Sequence, residues 1–472
     1  MNILGRLFCR ADAVTVEIDF EPPCPKPRSA LTSLLRVLWH GDGNLLELLP
    51  GAAYRFDVGD LGYSRRSTVL FNDPALIEEI LRDDGTRFPK SDLMVNALEP
   101  LIGGSIFVTD GDVWRRQRAM IDPAFSHMRV GHAFKAMQRA VQDHIAHWYL
   151  YAQQPEGFAL DLAMSHLTAD VICRTTFSLP LNSYVAREVF DDFTEFERSV
   201  AQVDIFRLIF QPAWTETPQT PAVLAACSRI RGHVGDLIDT HVDAPSDYSD
   251  IASDVIRAKD TETDKPFTRE QLIDQLGVFF LAGHETSASA LTWAFYLLAC
   301  QPAWAERLRA EVRQVVGQGE MTFTHIRQLP LTRAFFKEVL RLYPPITFLP
   351  RVAMEACQVG NRRLRRGALV MISPWTLHRH QGYWQEPNRF MPERFLQERA
   401  EAIVPGSYIP FGQGPHTCIG AGFAQTEAVL IIAELIRRFD IELAPGQRIR
   451  PAARLTTRPA TAISCHCRPL PG

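Results

Sequence analysis

A long uninterrupted helix in the second half of the chain limits the possible folds more than any other feature of the sequence. Thr268 and Gln271 have the spacing of a capping box, and Pro266 precedes them. The next helix-breaking residue is Pro302, which leaves roughly 30 residues, or about 45 Å, of continuous helix. Residues 276–282 in its centre are almost wholly apolar, so we expect this helix to cross the interior of a large domain.

A polar break interrupts the same helix just after its apolar centre. It consists of Gly283, His284, Glu285, Thr286 and Ser287. Polar groups inside a protein cost free energy unless they are hydrogen-bonded. These side chains therefore either face a ligand and its water or bond to carbonyl oxygens of their own helix, and the pattern alone allows both.

The rest of the chain is typical of a mainly α protein with smaller β-sheets. No repeat or low-complexity linker divides it, so we predict an N-terminal arm and leading helix over residues 1–50 and a single domain over residues 51–472. In chain order, we expect a hairpin at 54–71, helices over 112–315 with an acidic connector at 243–267, strands and turns over 344–406, a helix at 420–439 and a strand-like tail.

Composition and charge exclude several classes of protein. The formal charge of −4 and the pI near 6.4 provide no basic surface for nucleic acid. The sequence has no run of 18 apolar residues and no signal-like N-terminus, so we expect a cytoplasmic protein without a transmembrane segment, and a monomer. The nine cysteines show no repeating spacing, which favours reduced thiols. Cys465 and Cys467 flank His466, a pattern that fits a metal site but more often a strand.

A glycine-rich segment at 408–420 surrounds a single cysteine, Cys418, and precedes an alanine-rich helix. Gly412 and Gly414 allow positive φ angles in a tight loop and a close approach of the backbone to a flat group. A cysteine just before a helix is next to the positive end of the helix dipole, which favours the thiolate that binds metals. Two other interpretations stay open here: a buried small hydrophobic residue, or a nucleophile activated by His416.

This segment resembles the haem-binding signature of the cytochromes P-450. The matching residues are Phe411, Gly414, His416, Cys418 and Gly420. The pattern is highly specific, so the resemblance favours a metal ligand over the two other interpretations of the cysteine.

Three further segments resemble motifs of the same family, in the order and at the separations that the family shows. Glu338 and Arg341 are similar to its ExxR pair, in which residues i and i+3 share a helix face. The sequence FMPERF at 390–395 resembles the segment whose arginine, here Arg394, completes that network. The family's motif in the central helix is matched by Ala282, Gly283, Glu285 and Thr286. The resemblance covers about residues 54–460, nearly the whole chain.

The resemblance implies the cytochrome P-450 fold, with a haem b between the long central helix and the cysteine loop. Cys418 is then the iron ligand, and the sequence has no CxxCH motif for covalent attachment of the haem. The residues implied to bind the haem propionates are Trp114, Arg118, Arg351 and His416. Further contacts to the cofactor are expected from Phe411, Gly414, Gly420, Ala282 and Gly283, the last by leaving room beside the iron.

The implied activity is insertion of one oxygen atom from dioxygen into a hydrophobic organic substrate, by hydroxylation or epoxidation. Thr286 would hold a water beside the dioxygen, and Glu285 would supply protons through solvent. The sequence has no flavin or nucleotide fingerprint, so we expect NAD(P)H electrons to arrive through an external ferredoxin and ferredoxin reductase. Arg115 and Arg116 are expected to project toward that ferredoxin.

The family pattern also indicates which segments line the substrate pocket. Most of their residues are apolar, with Phe206, Phe210 and Phe348 as notable aromatic side chains, which favours a lipid-like substrate over a sugar. The segments are 93–107, 203–214, 281–282, 346–349 and 455–457.

Three other functions are weighed against this one. A haem-thiolate peroxygenase, or an isomerase of an oxidised lipid, commonly lacks the pair formed here by Glu285 and Thr286. A non-enzymatic haem sensor would not need the polar break in the central helix. A cysteine hydrolase lacks a convincing histidine and asparagine partnership and leaves the other motifs unexplained.

Overall fold

The computed structural model describes residues 20–26, 29, 32, 44–62, 66–200, 219–453 and 455–471, and only the backbone of 198–200. Most of the predicted N-terminal arm, including nearly all of its leading helix, lies outside the described residues. The predicted pocket segment 203–214, with Phe206 and Phe210, also lies outside them.

Helices form most of the described structure, as the sequence predicts. The connector predicted at 243–267 is only partly irregular, because the Asp250 carboxylate accepts a hydrogen bond from the N–H of Ser253 (2.9 Å) and so caps a short helix. In chain order the α-helices are α1 (Pro74–Arg82), α2 (Asp92–Ile102), α3 (Gly111–Ile121), α4 (His127–Tyr151), α5 (Leu160–Phe177), α6 (Tyr184–Val200), α7 (Pro221–Asp243), α8 (Ile251–Arg257), α9 (Arg269–Cys300), α10 (Pro302–Val316), α11 (Pro330–Leu342), α12 (Pro374–Leu377), α13 (Gln397–Ala400) and α14 (Ala421–Ile436).

The strands form small sheets at the periphery of the helical body. The largest described sheet has the order β1-β2-β7-β4, in which β1 and β2 form the predicted antiparallel hairpin and β2 runs parallel to β7. A second sheet has the order β3-β11-β8. The strands are β1 (Val58–Asp60), β2 (Thr68–Phe71), β3 (Phe158–Ala159), β4 (Leu349–Val352), β5 (Cys357–Val359), β6 (Arg362–Leu364), β7 (Leu369–Ile372), β8 (Phe439–Leu443), β9 (Pro451–Ala453), β10 (Thr457–Pro459) and β11 (Ser464–Pro469).

The two cysteines near the C-terminus belong to a strand and not to a metal site. Cys465 and Cys467 lie on β11 and are buried, whereas His466 between them is half-buried on the opposite face. Side chains alternate between the faces of a strand, so the histidine points away from both thiols. The described cysteines are all free, as expected.

The long central helix is α9, and it begins where the sequence predicts. Thr268 is its N-cap, and Thr268 and Gln271 form the reciprocal hydrogen bonds of a capping box. Most of its side chains are buried, and near its C-terminal end Ser289 Oγ (2.8 Å) and Trp293 Nε1 (2.7 Å) donate to the carbonyl of Thr457. No described helix, α9 included, combines the length and apolarity needed to cross a membrane.

A buried ion pair on α11 fixes the segment that leads to the cysteine loop. Arg341 Nε and Nη2 each donate to the Glu338 carboxylate at 2.7 Å, and both side chains are fully buried. The same guanidinium donates to the carbonyls of His378 (2.8 Å), Pro387 (2.6 Å) and Arg389 (3.0 Å). The irregular stretch from His378 to Arg389 is thereby held against one helix.

Arg341→Lys tests this role of the ion pair. Lysine keeps the charge but cannot form the fork of parallel hydrogen bonds, so carboxylate and carbonyl oxygens lose buried partners. Each buried oxygen left without its hydrogen bond costs about 1–3 kcal/mol of unfolding free energy. We expect a loss in that range, measured as the shift of the urea unfolding transition.

Arg307→Lys is the matched control, because Arg307 pairs with Glu393 at 2.8 Å on the surface. Exposed pairs contribute about 0–1 kcal/mol, so this variant should unfold almost like the parent. Equal shifts in the two variants would contradict the anchoring role of Arg341.

Candidate functional site

A cavity of about 550 Å³ lies between α9 and the cysteine loop. Its wall is mainly apolar, and polar side chains reach it at a few places only, as in ligand sites generally. The structure brings together at this cavity all but one of the predicted site residues: Cys418, Phe411, Gly420, His416, Trp114, Arg118, Arg351, Ala282, Gly283, Glu285 and Thr286. Gly414 is the exception.

The cysteine loop is closed by backbone hydrogen bonds. The N–H of Cys418 donates to the carbonyl of Phe411 (2.9 Å), and Gly412 turns the chain with a φ of 75°. Gly420 then caps α14. The side chain of Cys418 lies deep in the protein, and the surface that it exposes belongs to the cavity wall. The loop therefore presents a thiol to the cavity at the start of a helix.

The protonation of this thiol differs from the expectation. Burial raises the pKa of Cys418, although the N–H of Gly420 and the charge of Arg118 oppose that rise. The N–H group at the helix start does favour the thiolate, but desolvation of the sulfur outweighs it. A bound metal ion is the kind of group that reverses this balance, since coordination deprotonates a thiol.

Two glycines of the family motifs also have close neighbours in the protein itself. A Cβ on Gly414 would lie 2.2 Å from the carbonyl oxygen of Leu81, so this glycine lets the loop touch the end of α1. A Cβ on Gly283 would lie 2.6 Å from Cδ1 of Ile172, so this glycine lets α9 approach α5. Gly283 also lines the cavity, but its close neighbour is a side chain of α5.

Cationic and aromatic groups gather at one end of the cavity. The rings of Trp114 and His416 lie 3.9 Å apart between centroids, and Arg351 is buried beside them. Arg118 Nη1 donates to the carbonyl of Thr417 (2.7 Å). Lys90, which sequence reasoning missed because no motif marks it, joins the group through a backbone bridge to Arg351.

The electrostatics of this end fit an anionic group. Burial, with Lys90 and Arg351, lowers the pKa of His416 to about 3, and neither ring nitrogen has a hydrogen-bond partner. Burial lowers the pKa of Lys90 to about 8, although Asp110 at 3.3 Å opposes this. The carboxylates of haem propionates would accept hydrogen bonds from these unpaired nitrogen atoms and would offset the positive charge around them. The residues present therefore fit a haem with its iron at Cys418.

The polar break of α9 faces the other end of the cavity. Thr286 Oγ1 donates to the carbonyl of Ala282 at 2.6 Å, so its oxygen still accepts hydrogen bonds. The Glu285 carboxylate accepts from Thr456 Oγ1 (2.6 Å) and from Arg458 Nε (2.6 Å). The sequence allowed the polar side chains either to face a ligand or to bond to their own helix. Thr286 does both, because it lines the cavity while it donates to a carbonyl of α9.

Sequence reasoning also missed a buried pair beside this break. Ser287 Oγ donates to Glu427 Oε2 on α14 at 2.6 Å, and burial raises the pKa of Glu427 to about 8. The carboxyl is therefore mostly protonated at neutral pH. No motif links these two residues, which are brought together by the packing of α14 on α9.

The two arginines expected to face a ferredoxin are engaged in ion pairs. Arg115 pairs with Asp84 and Asp112, and Arg116 Nε lies 2.8 Å from a carboxylate oxygen of Asp260. Their charges are largely offset by these neighbours. Both side chains still reach the surface, with 49% and 31% of the side chain exposed, and their role in docking a ferredoxin stays a prediction.

Comparison with known proteins gives consistent likenesses over nearly the whole chain. The family described as Cytochrome P450 matches residues 22–465. Cyclooctatin synthase of Streptomyces melanosporofaciens is 30% identical over 416 residues, 87% of this chain and 88% of that protein. Cyclooctat-9-en-7-ol 5-monooxygenase of the same organism is 31% identical over 419 residues, 87% of each.

The solved haem domain of cytochrome P450DA superimposes with a TM-score of 0.80, covering 96% of this chain and 98% of that one at 22% identity. This likeness shows the cytochrome P450 fold, and the fold and the family together imply a haem cofactor. With the family match extending over residues 22–465, this chain belongs to the cytochrome P450 family and is an oxidoreductase of the monooxygenase type.

Proposed function

We propose that this enzyme inserts one oxygen atom of dioxygen into an uncharged hydrophobic substrate, with NAD(P)H electrons delivered by an external ferredoxin and its reductase. One observation carries the proposal: Cys418 and Thr286 line the same largely apolar cavity. The cytoplasmic location, the monomeric state and the single domain over residues 51–472 stay predictions.

Cys418 and the cationic cluster have different roles in the proposed haem site. Cys418 would bind the iron as a thiolate, and the cluster of Trp114, Arg118, Arg351 and His416 would bind the propionates. When bound, the haem iron supplies the reduction of dioxygen and the transfer of one of its oxygen atoms. Phe411, Gly420, Ala282 and Gly283 would contact the macrocycle, whereas Gly414 would act by holding the loop against α1.

Thr286 is proposed to position the protons that the reaction consumes. Its hydroxyl hydrogen is directed to the carbonyl of Ala282, so its oxygen can accept a hydrogen bond from a water in the cavity. Glu285 next to it is the nearest carboxylate on α9, although its oxygens are held by Thr456 and Arg458. The hydroxyl thus orients a water, and the carboxylate is the proton source behind it.

The distribution of charge in the cavity favours a neutral substrate. Among the described lining residues, the side chains of lysine and arginine are Lys90, Arg118 and Arg351, all at the proposed propionate end. Most of the remaining wall is apolar and includes Leu281, Ile346, Phe348 and Leu455. A substrate carboxylate there would lack a partner. The relative named cyclooctat-9-en-7-ol 5-monooxygenase bears the name of a neutral alcohol, which agrees with this proposal.

Two rival functions are less well supported. A peroxygenase or an isomerase of an oxidised lipid has no need of Thr286 as a water-binding residue, yet the structure presents its oxygen to the cavity. A non-enzymatic sensor has no need of a large apolar cavity next to the haem site.

Cys418→Ala tests the iron ligand. Because the variant lacks the thiol that faces the cavity, we expect it to lose most of its bound haem, measured as haem per purified chain. Cys357→Ala is the control, because Cys357 lies on β5 and does not line the cavity. A Cys418→Ala protein with full haem content would show that another residue binds the iron.

Thr286→Ala tests the proton-positioning role. Alanine keeps the helix and leaves the thiol untouched, so haem binding should persist. We expect product formed per NAD(P)H consumed to fall several-fold, with the missing electrons recovered as hydrogen peroxide. Thr292→Ala is the matched control, because Thr292 makes the same back-bond, to Ala288 at 2.7 Å, outside the cavity. An unchanged ratio in Thr286→Ala would overturn the role.

The charge preference is tested with two ligands of equal chain length, dodecan-1-ol and dodecanoate, at pH 8. An unpaired carboxylate in the cavity loses several kcal/mol of hydration. We expect the alcohol to bind the haem protein at least about tenfold more tightly, as measured by the change in haem absorbance. Tighter binding of dodecanoate would contradict a neutral substrate.

A further inference from the structure

Four polar side chains cluster next to the cavity, around Glu285. Glu285 and His284 lie on α9, Glu197 lies on α6, and Arg458 lies on β10. The nearest oxygen and nitrogen atoms of Glu197, His284 and Glu285 all lie within 4.8 Å of one another. Of these three residues and Arg458, Glu285 alone lines the cavity. It therefore connects the cluster to the cavity wall.

Arg458 holds the two carboxylates unequally. Its guanidinium donates to Glu285 through Nε at 2.6 Å and pairs with it again through Nη2. The same Nη2 lies 3.9 Å from Glu197 Oε2. Glu197 Oε1 has no hydrogen-bond partner and lies 3.9 Å from the Nδ1 of His284, which is also unpartnered. The guanidinium thus neutralises Glu285 and leaves Glu197 loosely paired.

The histidine does not supply a second positive charge. Burial, together with Arg458 and His166, lowers the pKa of His284 to about 3, and its Nε2 lies 2.8 Å from Ser165 Oγ. Two ionised carboxylates would then face a single cation in a poorly hydrated place. Burial accordingly raises the pKa of Glu197, with Arg458 opposing the rise. One proton shared between the two carboxyls removes the excess charge.

We propose that Glu197 and Glu285 share one proton across Arg458, and that Glu197 is the residue through which protons pass from solvent to the cavity. In the resting arrangement that we propose, Glu197 carries the proton and Glu285 is the carboxylate paired with Arg458. Transfer of that proton to Glu285, directly or through one water, leaves Glu197 as the carboxylate, and Arg458 pairs with it instead. Glu285 then gives the proton to a water in the cavity, and Glu197 takes another from solvent.

The position of Glu197 suits this role. Its side chain is 16% exposed, against 5% for that of Glu285, so it is the more accessible of the two to solvent. The charged and titratable groups that face it among the described residues are Arg458, His284 and Glu285. His166 and Asp161 on α5 act on the cluster through His284 and Arg458 respectively. A metal ion is not needed to explain the cluster, because a guanidinium already lies between the carboxylates.

This inference rests on the proposed function, and the experiment separates the two. The holoenzyme is supplied with NADPH, a surrogate ferredoxin and its reductase, and oxygen consumption is followed without added substrate between pH 6 and pH 9. The parent should consume oxygen at a rate that falls as pH rises, because Glu197 must be protonated to act as a donor. The rate should also be slower in deuterium oxide.

Glu197→Gln keeps the size of the side chain but cannot pass a proton on. We expect its rate to be at least about tenfold below the parent at pH 7, with the fall at higher pH abolished. Glu195→Gln is the matched control, because Glu195 is an exposed residue of the same helix. It should behave like the parent in rate and pH profile.

Infrared difference spectra between low and high pH give a second readout that does not depend on turnover. A carboxylic acid band that the parent and Glu195→Gln show and Glu197→Gln lacks would support the shared proton. Equal pH profiles and isotope effects in Glu197→Gln and the parent would overturn the inference. Absence of oxygen consumption in the parent would instead count against the proposed function, while the infrared result would still decide the protonation of Glu197.

Discussion

The buried ion pair between Glu338 and Arg341 is the interaction on which the position of the site depends. Arg341 satisfies carbonyls of three residues between His378 and Arg389, and Glu338 accepts from the N–H of Met391 at 2.8 Å. His378 in turn accepts a hydrogen bond from the N–H of Ile409 (2.9 Å), directly before the cysteine loop. One guanidinium thus fixes an irregular segment that has no helix or sheet hydrogen bonds of its own. Because His378 of this segment binds Ile409, the segment also positions the loop that carries Cys418.

The cavity then separates charge along its length. Lys90, Arg351 and His416 at one end form an anion-binding surrounding, whereas the carboxylate of Glu285 at the other end is neutralised from behind by Arg458. The wall between them is apolar. We propose that the first group of residues binds the anionic edge of the cofactor and that the second supplies protons, which leaves the rest of the cavity to a neutral substrate.

Much of the fold could be predicted because its signals are local. The capping box at Thr268 and the break at Pro302 fixed the bounds of α9, and the glycines at 412 and 414 marked the loop. The interpretation of Gly283 and Gly414 was incomplete, because a Cβ at these positions would also meet Ile172 or Leu81, which are far away in sequence. The spacing of a motif shows where a glycine is needed, but it does not show which neighbouring atom a Cβ would clash with.

The partners of the site residues could not be predicted for the same reason. Lys90, Glu197 and Arg458 carry no motif, and folding brings each to the site from a distant part of the chain. Likewise, the helix-start argument for Cys418 included the dipole but not the desolvation that raises the pKa of its thiol. Long-range packing and burial, which decide these features, have no counterpart in local sequence patterns.

We expect iron bound in this cavity to be ligated by the Cys418 thiolate, although burial raises the pKa of the free thiol. The decisive measurement is the absorption spectrum of the purified parent protein, reduced and exposed to carbon monoxide. It should show the strongly red-shifted Soret band of thiolate ligation, persisting at pH 6 because the iron and not the protein sets the ionisation of the sulfur. An unshifted Soret band, as given by a neutral ligand, would contradict this expectation.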